Sequence, residues 1–395
     1  MESGKIHSLK YISLCIKGER MNNKERDEKF LKSWLKKKIS ITTSTVVSFL
    51  ITGAIGGGAA YGATPGNKAG NGGNINSVAL GQGSKVDNDS VAVGANASAV
   101  RASAGIPAVT STGVAIGNNA KAEGSISIGE LSSSNHFGVA IGYNAGAQNT
   151  TTSSSFSNVT IGANTRVGVQ GTKAAQGIAI GSGVQAHEGA WAKGDQSIAI
   201  GANTESTGDS SIAIGGDDLE AVSAKDSSYS DAKFDKNGNK IGGNSNNTAS
   251  INNIFSRLTG RGAILNGGTG TDGTNYSHWR NTQSGQGAVA LGVKSISGDI
   301  ALAIGTFSEA TGTNSVAIGT GAQTPQSGAV AIGGGSTTNG LQGRQITDAD
   351  ITLTDGTTMA LTNFAGASGV LEGSMVSFGK AGNERQLKHI APGEV

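Results

Sequence analysis

The sequence predicts an all-β protein, a parallel β-roll solenoid of 13–14-residue repeats interrupted by inserted loops or lobes. Three observations lead there. A four-residue pattern, apolar–small–apolar–Gly, recurs thirteen times, ending at Gly81, Gly94, Gly117, Gly129, Gly142, Gly162, Gly181, Gly201, Gly215, Gly292, Gly305, Gly319 and Gly333. Successive ends are often 12 to 14 residues apart, as from Gly81 to Gly94 and from Gly305 to Gly319. Finally, 64 glycines and 4% aromatics in 395 residues leave little material for a conventional core. Each unit has room for one strand, a turn, a second short strand and a turn back, so that coils stack about 4.8 Å apart. Ala120–Ala122 and Ala145–Ala147 carry the small-residue alternation of that second strand, and wider gaps such as Gly94 to Gly117 read as loops inserted at coil corners.

Asn314-Ser315-Val316-Ala317-Ile318-Gly319 shows the unit in full. Its two apolar residues are two apart, share one strand face and are β-branched, which suits a buried, pleated surface. The expected roll core is therefore Val78, Leu80, Val91, Val93, Val114, Ile116, Val139, Ile141, Ile178, Ile180, Ile198, Ile200, Ile212, Ile214, Val289, Leu291, Val316, Ile318, Val330 and Ile332. The residue between them points the other way. It is Ala in eleven copies, with Ser127 and Thr160 the exceptions. A face neither polar nor large is expected to sit close to something. We expect Ala79, Ala92, Ala115, Ala140, Ala179, Ala199, Ala213, Ala290, Ala317 and Ala331 to pack against other copies of the chain. Asn314 is expected at a turn.

The Asn-Ser-Val-Ala-Ile-Gly repeat resembles the YadA-like head of trimeric autotransporter adhesins. Two further segments carry the same resemblance. Residues 375–387, from Met375 to Leu387, look like that family's neck, with Gly379, Gly382, Glu384, Arg385 and Gln386 as its neck residues. The N-terminus is similar to its long signal peptides. The resemblance implies a left-handed parallel β-roll, a homotrimer about one axis with the alanines facing the trimer, and display on a Gram-negative cell surface. It also implies partners among host extracellular matrix proteins such as collagen, fibronectin or laminin, or cell-surface receptors, with autoaggregation as a further activity. The sequence departs from the family after the neck. No stalk heptads and no membrane anchor follow, so attachment to the outer membrane is expected only through an anchor that this sequence does not contain.

In chain order, residues 1–62 read as an N-terminal extension and signal peptide. Lys24 to Lys38 is charged and mostly basic, Ile39 to Tyr61 is uncharged, and Ala60-Tyr61-Gly62 offers a small-x-small cleavage pattern. A retained transmembrane helix is the competing reading of that apolar stretch. Residues 63–76 form a Gly/Asn linker, 77–215 hold nine head repeats, 216–287 are an insert, 288–333 hold four more repeats, 334–373 are a second insert, and 374–395 are the neck. Within the first insert, Ile251, Ile254, Phe255 and Leu258 fall at helical spacing, with Thr248 or Ser250 placed to cap the helix. The lone Cys15 lies in the leader, so the remainder has no thiol and no disulfide.

A net charge of +2 implies neither nucleic acid nor an anionic bilayer as partner. Gly181-Ser182-Gly183-Val184-Gln185-Ala186 fits a dinucleotide fingerprint on paper, but that fingerprint needs a helix next, and another repeat follows instead. Asp235-Lys236-Asn237-Gly238-Asn239 spaces oxygen ligands as calcium loops do, yet Lys240 stands where the loop needs Gly and no Glu stands at the twelfth position. His7, His136, His187, His278 and His389 are scattered without ligand spacing. No catalytic residue, cofactor or metal ligand is therefore nominated, and a non-enzymatic adhesin head is the expected function. Two alternatives are a secreted β-solenoid acting on surface polysaccharide, which would need two carboxylates gathered in a groove, and a passive surface-layer spacer.

Overall fold

The computed structural model describes residues 77–87, 89–100, 112–147, 157–169, 174–353, 355–362 and 370–391. The chain divides after Ala59, and every described residue belongs to the second unit. The expected leader and linker (1–62 and 63–76) lie outside the described residues. Among the described residues, no helix is long and apolar enough to cross a membrane.

All thirteen repeats form strands, and they stack in chain order in one parallel sheet. Residues 376–377 add a fourteenth strand beside Val330–Ile332. The second strand of each coil joins a parallel sheet of eleven strands, continued by isolated bridges from Glu309 to Gln323 and from Gln323 to Thr337. The register is exact from coil to coil: Leu302, Ala303 and Ile304 pair with Val316, Ala317 and Ile318, which pair with Val330, Ala331 and Ile332. This is a β-roll solenoid. At a strand spacing of about 4.8 Å, its long sheet runs for about 60 Å.

The faces are reversed from the sequence expectation. Ala92, Ala115, Ala140, Ala179, Ala199, Ala213, Ala290, Ala317 and Ala331 are wholly buried within a single chain, and Ala79 nearly so. They point into the roll, not toward other copies. Val78, Leu80, Ile116, Ile141, Ile214 and Ile332 are exposed. Val91, Val93, Val114, Val139, Ile178, Ile180, Ile198, Ile200, Ile212, Val289, Leu291, Val316, Ile318 and Val330 are half-buried on the same outer face. These side chains are not the roll core.

The physical reason is the width of the lumen. Four positions of each coil face inward, and most hold a small residue: the one before the long-sheet strand, its central residue, the one after the turn, and one from the short strand, where Val167 is a larger exception. In one coil these are Ser315, Ala317, Ala322 and Thr324, all buried. Two sheets joined by such short turns lie too close together for facing rows of Val and Ile. Some of the inward hydroxyls pair within the lumen, as in Ser206 to Ser211 at 2.6 Å and Ser134 to Ser125 at 2.7 Å, whereas Ser295, Ser297 and Ser308 are buried without a partner for Oγ.

Tight corners hold the coils. Each has a residue in the left-handed region, such as Asn96, Asn119, Asn144, Asn164 and Asn203 at one corner and Gln196, Ser210 and Asn314 at the other. Asn tolerates that conformation better than most side chains, and Asn314 stands at a turn as expected. The repeat glycine is needed for a second reason. Gly305 has φ +123°, and a Cβ there would stand 2.8 Å from the carbonyl carbon of Gly319 in the next coil.

Between Ile212–Ile214 and Thr282–Ser284 the chain leaves the roll to build a lobe. The strand Thr282–Ser284 already completes the interrupted coil, so the excursion ends earlier than the expected boundary at 287. The lobe holds a short helix, α1 (Glu220–Ser223), two-stranded antiparallel pairs, and a longer helix, α2 (Ile251–Thr259). Ser250 caps α2 by accepting the Asn253 N–H, and Gly260 ends it in the left-handed conformation. Within 334–373, residues 348–352 and 358–362 pair as an exposed antiparallel hairpin.

Candidate functional site

Three surfaces set what the molecule can do: the outer face of the long sheet, the outer face of the short sheet, and the lobe with its seat. On the long sheet, two columns of aliphatic side chains run in register. One passes through Val114, Ile126, Val139, Val159, Ile178, Ile198, Ile212 and Val289; the other passes through Ile116, Ile128, Ile141, Ile161, Ile180, Ile200, Ile214 and Leu291. Val78, Leu80, Ile116, Ile126, Ile141, Ile161, Ile214 and Ile332 are 38–43% exposed and the others half-buried, so a single chain leaves part of this strip in water. No charged residue occupies either column. A contiguous apolar strip of this length exceeds what monomeric soluble proteins usually expose.

The short sheet differs. Its outward column reads Lys85, Ser98, Lys121, Ser133, Gly146, Arg166, Trp191, Glu205, Gln283, Ile296 and Glu309. Trp191 is held on this polar face by Arg166 at 4.3 Å and Lys193 at 4.2 Å from its ring, while its indole N–H donates to Gly168 O at 2.7 Å. Lys193 pairs with Glu205 at 2.8 Å. The two faces of the roll therefore differ in kind, one aliphatic and one polar.

The lobe rests on one corner of the roll, along the coils that follow it. There the left-handed corner position holds Lys294, Phe307, Gly321 and Gly335 instead of Asn. Phe307 is fully buried among Leu219, Phe255, Ile264 and Leu265 of the lobe, with its ring 5.7 Å from Phe255 and 5.3 Å from Tyr276. A Cβ at Gly321 would meet Thr259 Cγ2 at 2.9 Å, so glycine lets α2 approach. Lys294 is also fully buried and donates from Nζ to Leu265 O at 2.6 Å. Burial pushes its pKa down, offset in part by Asp217.

Charges lock this seat. Glu309 accepts from Arg261 Nη2 at 2.8 Å, pairs through its other oxygen with Arg280, and accepts from Gln323 Nε2 at 2.7 Å. Arg261 also donates to Phe307 O and to the Tyr276 hydroxyl, each at 3.0 Å, and both guanidinium groups lie against the Phe307 ring at 4.9 and 4.8 Å. Burial pushes the Glu309 carboxyl up, but Arg261 and Arg280 outweigh it and hold it below the ordinary carboxylate range. Sequence reasoning nominated none of these residues. The signal was there in the corner: Phe307 and Lys294 stand where the repeat otherwise prefers Asn.

The residues expected as a neck close the far end of the roll. Arg385 donates to Gly334 O at 2.6 Å, to Ser336 Oγ at 2.8 Å and to Phe378 O at 2.8 Å. Glu384 accepts the Gly382 N–H at 2.8 Å, and Gly379 O accepts Thr337 N–H at 2.9 Å. Gln386 is exposed and has no such role.

The motifs set aside on sequence have plain structural uses. Residues 184–189 turn without forming a helix, and Glu188 accepts from Val184 N and Gln185 N. Asp235 spends its carboxylate on Asn237 N, Asn239 N and Asn239 Nδ2 within a hairpin turn. His278 is different: the fold brings it beside Asp218 and Glu220, a grouping that sequence spacing does not reveal.

The family model of the YadA head domain repeat, which spans two copies, matches residues 74–97, 112–128, 192–217 and 297–322. Comparison with curated proteins gave no match. The matched spans make up less than a quarter of the chain, but each falls on coils of the roll, and the coils between them continue in the same register. The matched coils are similar to YadA head domain repeats.

Proposed function

We propose that the chain is the non-enzymatic head of a trimeric surface adhesin, joined through the aliphatic face of its long sheet. The observation that carries this reading is the pair of in-register Val/Ile/Leu columns left in water by a single chain. A fully buried aliphatic side chain contributes roughly 1.5–3 kcal/mol, so partial cover over a dozen coils amounts to a large driving force. The adhesin-like character of the matched repeat family supports the same reading. Three rolls about one axis would cover the aliphatic strip and leave the polar short sheet and the lobe facing outward.

The outward surfaces are then the contact sites for host extracellular matrix proteins such as collagen, fibronectin or laminin, or for cell-surface receptors, and for autoaggregation between heads. No deep pocket is required, because three copies on one particle raise the effective concentration of weak contacts. Residues 1–62 serve export, residues 374–395 act as the neck, and the head is displayed at the surface of a Gram-negative cell. Sedimentation of residues 63–395 tests the assembly, and binding to immobilised collagen, fibronectin and laminin tests the activity. A folded species that stays monomeric at micromolar concentration overturns the trimer; a trimer that binds no matrix protein, receptor-bearing cell or second head overturns the adhesin.

A further inference from the structure

We propose that Asp218, Glu220 and His278 form a divalent-cation site that clips the start of the lobe to its end. One ligand atom from each lies within 4.8 Å of the others. Asp218 and Glu220 stand just after the strand Ile212–Ile214, and His278 stands just before the strand Thr282–Ser284. The lobe must therefore be folded for the three to meet.

The geometry at His278 points to a shared ion. Its Nε2 is shielded from solvent and has no hydrogen-bond partner, while the side chain as a whole is 30% exposed. The nearest oxygen recorded is Glu220 Oε2 at 3.7 Å, beyond hydrogen-bond reach. Two ligands bound to one zinc ion at about 2.0–2.2 Å with near-tetrahedral angles stand roughly 3.3–3.6 Å apart, so this pair needs to close by only about 0.1–0.4 Å. The remaining oxygen, on exposed Asp218, lies within 4.8 Å of the other two ligand atoms.

Both ends are already oriented. Asp218 Oδ1 accepts the Glu220 N–H at 2.7 Å, leaving Oδ2 for a ligand. The Trp279 ring lies 4.1 Å from the imidazole, centroid to centroid, and restrains its plane. Such outer contacts hold metal ligands in place elsewhere. One imidazole with two carboxylates suits a borderline divalent ion, zinc or manganese, better than a soft ion or an all-oxygen calcium site. Three protein ligands leave further positions on the ion for water. The role is structural: closing a long excursion removes freedom from the open chain, so the ion steadies the lobe on its seat.

The full chain, in a Cys15→Ser background to remove the thiol, is stripped of metal with a chelator and titrated with Zn²⁺ by calorimetry and with Co²⁺ by absorbance. The expected result is one ion per chain, with affinity reduced roughly tenfold or more in both His278→Gln and Glu220→Gln. His187→Gln, an exposed histidine elsewhere, leaves it unchanged. Zn²⁺ also slows proteolysis within 218–281 in the parent and not in the two variants. Glu220→Gln alters an exposed side chain, so it keeps the test sound if His278→Gln loosens the lobe. Absence of stoichiometric binding, or binding that survives both substitutions, overturns the site and leaves His278 and Glu220 as a simple ion pair.

Discussion

Ala317→Leu separates the two possible assignments of the strand faces. Ala317 has no solvent exposure and packs in the lumen with Ala303, Ala310 and Ala322. Leu adds three carbons to a space bounded on both sides by Ala303 and Ala331, whose strands are fixed in register. Overpacking of this kind costs about 1–3 kcal/mol. The upper end applies here, because coils locked on either side cannot move apart without breaking the ladder. Ile318→Asp is the matched comparison. Ile318 faces outward, so in a single chain the change costs at most about 1 kcal/mol of strand preference. In an assembly that covers this face, the same carboxylate would be buried without a partner, at a cost of several kcal/mol. Urea unfolding followed by circular dichroism, with sedimentation at several concentrations, reads both effects. Ala317→Leu is expected to lower the unfolding midpoint of the roll itself. Ile318→Asp is expected to keep the β signal and lose the oligomer. If Ala317→Leu keeps its midpoint and is the variant that fails to assemble, the alanines face other copies and the reasoning is refuted.

Two further outcomes follow from the seams between coils and at the lobe. Gly305→Ala places a side chain at φ +123° and against the Gly319 carbonyl carbon, so it is expected to destabilise the roll by at least about 1–3 kcal/mol, read as a lower urea midpoint. Glu309→Gln leaves Arg261 and Arg280 buried without their carboxylate and is expected to cost about 3–5 kcal/mol, read as faster proteolysis within 216–281 while the roll's β signal persists. Acid should mimic that variant. The Glu309 pKa is lower in the folded protein, so its stabilisation is complete above the unfolded carboxylate pKa and disappears as pH falls through the folded value. Lobe cleavage in the parent should rise on that acidic side, and the Glu309→Gln profile should be flatter there.

What the sequence makes legible is local. Thirteen strand positions, the turn at Asn314, and α2 with its Ser250 cap all follow from patterns a few residues long, and the structure has each of them. The choice of inner face is not local. Alternation says that Val316 and Ile318 lie opposite Ala317, but the distance between two sheets decides which side is interior, and that distance depends on how tightly the corners turn. The usual rule that larger aliphatics go inside then misleads, because a narrow lumen is filled mostly by Ala, Ser and Thr, with Val167 a larger exception, while the Val and Ile columns remain outside. The lobe's contacts are also hidden. Arg261 and Glu309 are 48 residues apart, and they meet only once the coils after the lobe have stacked.

The corner substitutions show how lobe and roll were fitted to each other. In the coils before the lobe, the left-handed corner position holds Asn96, Asn119, Asn144, Asn164 and Asn203, with Gly83 and Leu131 as exceptions, and neighbouring asparagines hydrogen-bond along the stack, as Asn144 does to Asn164 at 2.9 Å. Under the lobe that row becomes Lys294, Phe307, Gly321 and Gly335, all buried. Each change serves a different contact: an ammonium for the Leu265 carbonyl, a ring for the lobe core, and glycines where α2 comes close. A lobe on a flexible tether would need none of these. Contact with several successive coils, reinforced by the charges at Glu309, gives it a set orientation on the roll. If three rolls share an axis, three lobes then stand at set distances from one another, which is the condition under which weak contacts to a repetitive matrix act together.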